Sequence, residues 1–290
     1  MKYIIHILFL LVSISAFGQS SPLSNALNLY QAGQLEEAKY VIDSALQQEV
    51  YQQQVVAYYI KGFIYKDIYK KNPDEAHSDV RAQAIDAFFK VVEMDERGKY
   101  LTETEQNIKY LTTTYYNDAM GMIQKQRFDG AIASFYKFDS LVEVLPDSVL
   151  VLGSTRDQFY LALGIGYAGQ ELQQQDSVYF DKAENAFKIV LSSDSLNMVA
   201  NYSLGVLYYN EAVGRILELN FDEELDEFDK LEDATIELFK KALPYMQTAY
   251  MQNPENENVV EGLAGIYHSL RDFDKYERYM KELKELRNEG

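Results

Sequence analysis

Three kinds of residue in this chain could do chemistry: a glycine-rich run, the histidines and a large set of carboxylates. Gly164-Ile165-Gly166-Tyr167-Ala168-Gly169 matches the GxGxxG pattern letter for letter. That pattern cradles a pyrophosphate only when a strand leads in and a helix begins at its end, so that backbone amides face the phosphates. Here Phe159-Tyr160-Leu161-Ala162-Leu163 leads straight in with helical spacing, so the run reads as part of a helix. Beyond His6 in the apolar start, the histidines are His77 and His268, far apart and without a His or Cys at ligand spacing. No nucleophile elbow or phosphate loop occurs. With 45 Asp and Glu, paired carboxylates are inevitable and nominate no acid–base couple. The expectation is a non-enzyme without catalytic residues, metal or cofactor.

Charge narrows the partners. The formal net charge is −18, which disfavours nucleic acid and anionic membrane surfaces, whose binding rests on cationic contacts. Half of that charge sits in one stretch, Ile216 to Glu237, where ten acidic residues face one base, Lys230. The bland reading is a solvated, partly helical excursion. The functional one is a docking element for a basic partner. A calcium loop of the EF-hand kind fails, because no Gly supplies its sharp turn.

The chain contains no Cys, which removes disulfides, thiolate metal sites and a cysteine nucleophile. Its first eighteen residues read as a secretory signal. Lys2 supplies the charged start, an apolar run of about 13 residues follows, and Ala16-Phe17-Gly18 brings small residues to a cut before Gln19. The run falls short of the roughly 20 residues a spanning helix needs. Residues 19–290 are therefore expected in the periplasm or outside the cell, as one α-helical array with an acidic insertion at about 214–238.

Helical spacing dominates that region. In Tyr160-Leu163-Gly164-Tyr167 the bulky residues fall three or four apart on one face, as they do in Leu204-Gly205-Tyr208 and Leu263-Ala264-Tyr267. Tyr58-Gly62-Tyr65 is a copy in which Lys61 replaces the apolar residue. Each copy precedes a second segment with a small residue and a bulky one four later: Ala38/Ile42, Ala84/Phe88, Ala131/Phe135, Ala183/Phe187 and Ala242/Met246, with Tyr276/Met280 as a degenerate sixth. Small residues let two backbones approach, and the bulky ones fill the groove beside them. One such pair cannot bury both faces, so pairs must stack.

The motif order resembles the tetratricopeptide repeat, whose Leu-Gly-x-x-Tyr half is followed by an Ala-x-x-x-Phe half. The resemblance covers roughly residues 22–287 and implies an all-α solenoid of about six stacked antiparallel helix pairs that binds protein or peptide partners. Its departures are large. The second segments open 46, 47, 52, 59 and 34 residues apart, and only the last interval matches the family period. Gly62 to Ala84 is 22 residues, Gly164 to Ala183 is 19 and Gly205 to Ala242 is 37, against 12 for Ala119 to Ala131. The excess is expected in the turns between paired helices.

In this family the first helices line the inner face. Residues beside their small packing positions are the natural contacts, which nominates Tyr59, Phe63, Tyr116, Met120, Tyr202 and Tyr209. Aromatics bring large contact area with few rotors. The Lys and Asn with which some members clamp a peptide carboxylate are absent from the equivalent positions. Asp-Ser followed by a small or apolar residue, at Ser44, Ser140, Ser148, Ser177 and Ser195, resembles an O-glycosylation acceptor of some exported bacterial proteins; these are also helix-capping residue types. The expected function is a non-catalytic scaffold of the bacterial cell envelope. Its alternatives are a structural subunit of a larger envelope assembly, or a glycan-associated role.

Overall fold

The structure is a computed structural model that describes residues 21–73, 78–145, 155–174, 177–217 and 225–289. The signal-like segment 1–18, His77, Ser148 and part of the acidic stretch lie outside the described residues. Among the described residues there are thirteen α-helices and no strand. They divide into two compact units that meet within one helix, at Thr114 and Tyr115.

In the first unit, α1 (Pro22–Gln31) pairs with α2 (Leu35–Ala45), the four-residue α3 (Glu49–Gln52) follows, and α4 (Val55–Lys71) pairs with α5 (Ser78–Met94). The first part of α6 (Leu101–Gln124) completes it. In the second unit the rest of α6 meets α7 (Phe128–Glu143). Three pairs follow: α8 (Thr155–Gln174) with α9 (Ser177–Ser193), α10 (Met198–Leu217) with α11 (Leu225–Gln252), and α12 (Glu257–Ser269) with α13 (Phe273–Glu289). Successive pairs also touch. Helix α4 contacts both α1 and α2, and α10 contacts α8, α9 and α12. Each unit is thus a stack of antiparallel pairs of the α-solenoid class.

The packing positions read from the sequence are those the structure uses. Ala38, Ala84, Ala131, Ala183 and Ala242 are fully buried, as are Ile42, Phe88 and Phe187. A Cβ placed on Gly62 would lie 2.5 Å from the Phe88 ring, and one on Gly164 2.6 Å from the Phe187 ring. Met246 fills the corresponding slot, where a Cβ on Gly205 would lie 3.0 Å from it and one on Gly262 of the next pair 2.7 Å. The motif tyrosines then stitch each pair to the preceding second helix. Tyr65 donates to Asp43 of α2 at 2.5 Å, Tyr208 donates to Glu184 of α9, and Tyr267 accepts from Gln247 of α11 at 2.8 Å.

Three hairpins turn tightly through a left-handed residue: Gly33 (φ 77°), Gln126 (φ 58°) and Arg271 (φ 60°). In each, the next amide bonds back to the carbonyl five residues earlier: Gln34 to Leu29, Arg127 to Met122 and Asp272 to Tyr267. This is the Schellman closure. Helix starts are capped where a side chain can reach, as at Ser21, which accepts from the Ser24 amide ahead of Pro22, and at Asn256.

Two expectations need correction. The extra residues between paired helices are mostly helix, not turn. Ala84 lies six residues into α5 and Ala242 seventeen residues into α11, whereas Ala38 lies three residues into α2. An inserted stretch that keeps helical spacing costs less as added turns than as loop, because its backbone polar groups stay paired. The described part of the acidic stretch accordingly belongs to α10 and α11. Second, Met280 does not close the last pair and stands 40% exposed. Tyr279 stacks on Tyr267 at 5.6 Å instead, with Leu283 buried one turn further on.

Candidate binding surface

The GxGxxG run lies wholly inside α8, with helix on both sides. Its amides are engaged within the helix, Gly164 faces Phe187 and Gly166 faces Phe128, so nothing is left to face a phosphate. His268 is exposed at the end of α12 and rests edge-on against Tyr276, ring centroids 5.0 Å apart. Ser44 and Ser140 are exposed and bond back to the carbonyls of Tyr40 and Lys137.

The six residues nominated for contact all lie on first helices: Tyr59 and Phe63 on α4, Tyr116 and Met120 on α6, Tyr202 and Tyr209 on α10. The structure gives the tyrosines a shared geometry. Each leans toward the next first helix in the stack. In the first unit, Tyr59 packs on Phe63 and Tyr100 and donates to Glu103 of α6. In the second, Tyr116 packs on Phe138 and donates to Gln158 of α8 at 3.3 Å. Tyr209 lies against Gly265 of α12 and the Phe239 ring. Burial raises the Tyr116 hydroxyl above the ordinary tyrosine range; Tyr202 is raised by burial too, with Glu261 of α12 adding to it. Tyr59 is only 9% exposed, whereas Phe63, Tyr116, Met120, Tyr202 and Tyr209 are half-buried and keep part of their surface in solvent.

The first unit adds a group that the sequence alone did not single out. Tyr30 of α1 donates to Asp67 of α4 at 2.7 Å, and Lys66 donates to Asn107 of α6 at 2.9 Å while standing 3.6 Å from Asp67. The Lys66 ammonium also sits 4.2 Å from the centre of the Phe63 ring. Burial is the leading effect on Lys66 and lowers its pKa, with Asp67 opposing. Burial likewise pushes Tyr30 and Tyr59 up, and the carboxylates they bond, Asp67 and Glu103, push the same way. Lys66 is seven residues after Tyr59, and Asn107 four after Glu103. Helical spacing therefore puts each on its neighbour's face. That spacing was readable; the pairing of helices 37 to 44 residues apart was not.

No family profile matches the sequence, and no curated protein does. Two solved structures are similar in outline. One is a monomeric mutant of IFIT1 with Gppp-AAAA, at 14% identity and a TM-score of 0.41; the match covers 90% of this chain and 58% of that one. The other is a human IFIT1 dimer with m7Gppp-AAAA, at 15% identity and a TM-score of 0.35, covering 90% and 67%. At that level of similarity neither likeness bears on what this chain binds.

Proposed function

We propose that the chain is a non-catalytic binding scaffold of the bacterial cell envelope, exported by its first eighteen residues, which holds a peptide or protein segment along its first-helix layer. The observation that carries this reading is the cluster of Tyr30, Tyr59, Phe63, Lys66, Asp67 and Glu103. Holding an ammonium and two carboxylates partly out of water is costly, and apolar residues would join the same helices more cheaply. A fixed set of donors, acceptors and ring faces on one layer is what a scaffold needs to receive a segment of chain without reordering itself. The second unit has half-buried residues of the same kind on its own first helices, Tyr116, Met120, Tyr202 and Tyr209. The net charge of −18 favours a basic segment as the partner.

A photo-crosslinking residue placed at Tyr116 or Tyr202, on first helices, and at Tyr40, which is 76% exposed on α2, tests the reading in envelope extract. The expected result is a discrete adduct from positions 116 and 202 and none from 40. Equal adducts from all three, or adducts from position 40 alone, would refute the assignment to the first-helix layer.

A further inference from the structure

The second unit contains an open cleft of about 930 Å³ between two second helices, α9 and α11, with α10 beneath it. Its charge is the reverse of the chain's. Among the described residues three lysines line it, Lys188, Lys240 and Lys241, against one carboxylate, Glu184, although the chain has 27 basic and 45 acidic residues. Glu184 is already committed: Lys188 pairs with it at 2.8 Å and Tyr208 donates to it. Among the described residues Lys240 pairs with an exposed partner one turn earlier, Glu237 at 2.8 Å, a pair that water and salt weaken. Lys241 makes no close ion pair among the described residues, though its charge acts on Glu184; its ammonium stands 5.9 Å from the centre of the Tyr208 ring. Tyr208 and Tyr245 lie nearly parallel at 6.0 Å and, with Pro244 and Leu191, give the cleft an aromatic and aliphatic lining.

We propose that this cleft docks a short acidic peptide segment of a partner protein, with carboxylates on Lys240 and Lys241 and apolar side chains on Tyr245 and Pro244. The volume is at the upper end of the range for ligand sites, about 300–1,000 Å³, and far exceeds what one small anion fills. Nucleic acid is disfavoured, since its dense phosphates meet the field of the whole acidic chain. A segment with a few carboxylates meets mainly the local lysines, because charges more than about 8 Å away are screened at physiological salt. The proposal concerns the second-helix side and is independent of the first-helix layer, so either can fail alone.

The test uses residues 19–290 and a fluorescein-labelled peptide of alternating Glu and Leu, with a Lys and Leu peptide as control. Saturable binding of the acidic peptide that weakens with added salt is expected. Lys240→Glu with Lys241→Glu should reduce its affinity by about tenfold or more, corresponding to about 1.4 kcal/mol. Lys281→Glu, on α13, should leave it unchanged. All three lysines are exposed, so circular dichroism should show the fold intact. Absence of saturable binding, or equal affinity in the double variant, overturns the proposal. So does displacement of the peptide by an equal concentration of inorganic pyrophosphate, which would make this a small-anion site. Concentration-dependent self-association that the double variant abolishes would overturn it too, by making a second copy the occupant.

Discussion

Two glycines of α8, five residues apart, should respond to the same substitution with opposite sign. A methyl group at Gly164 would lie 2.6 Å from the Phe187 ring, where about 3.5–4.0 Å is comfortable. The ring has to retreat by about 1 Å, and Phe187 is fully buried in an interior that packs densely. Overpacking of this kind costs about 1–3 kcal/mol, while the better helix propensity of Ala returns about 1. Gly164→Ala is therefore expected to destabilise the second unit by up to about 2 kcal/mol. At Gly169 nothing lies within 4 Å of the new Cβ, so propensity acts alone and Gly169→Ala should stabilise by about 0.8–1 kcal/mol. Urea unfolding followed by helical circular dichroism reads both. Pairing Gly164→Ala with Phe187→Leu makes the assignment specific, because a smaller side chain gives the methyl room and the double variant should lose less than the two single losses combined. Shifts of the same sign at 164 and 169, or strict additivity with Phe187→Leu, would refute the claim that the ring is what the glycine accommodates.

Two more predictions concern the backbone and pH. Gln126 is exposed and holds φ 58° in the α6–α7 turn, a conformation that Gly adopts without penalty. Gln126→Gly should stabilise by about 0.5–1 kcal/mol in the same urea assay, the relief of strain exceeding the added freedom of the unfolded chain. Tyr30, Tyr59, Tyr65 and Tyr208 are all raised from the ordinary 10.0 by burial, then by the carboxylates they bond. A raised folded-state pKa means that the stabilisation is complete below pH 10 and is lost as pH climbs through and above it. Unfolding titrations at stepped alkaline pH should show stability falling from about pH 10 upward, and a phenolate absorbance that lags that of free tyrosine until the chain unfolds.

The fold was legible wherever a contact depends on residues close in sequence or on a repeated residue type. Gly62 beneath Phe88 and Gly164 beneath Phe187 follow from helical spacing and from the size difference between glycine and phenylalanine. The last pair was misread because Tyr276 and Met280 keep the right interval. Interval alone cannot show that α13 is turned to bury Tyr279 and Leu283 and to leave Met280 exposed. The first-unit cluster was half legible. Tyr59 and Phe63 stood out as aromatics, but Lys66, Asp67 and Glu103 look like ordinary surface charges until stacking brings three helices together. The lysine-lined cleft was not legible for the same reason: Lys188 and Lys240 are 52 residues apart, and the acidic stretch dominates the charge of that part of the sequence.

The lengthened hairpins have a consequence for how this chain can vary. The step from one pair to the next is set near the small residues, by contacts such as Met246 against Gly205 and Gly262 and by the backward bonds of Tyr65 and Tyr208. The first turns of α11 lie well ahead of Met246 in the chain, so whole helical turns can be gained or lost there without changing the step. Those turns are thus permissive ground, where descendants of one ancestral sequence can drift in length and charge while the stacked interior stays in register, and where a reporter domain could be spliced with the least disturbance. The spread of intervals from 34 to 59 residues is the trace such drift would leave.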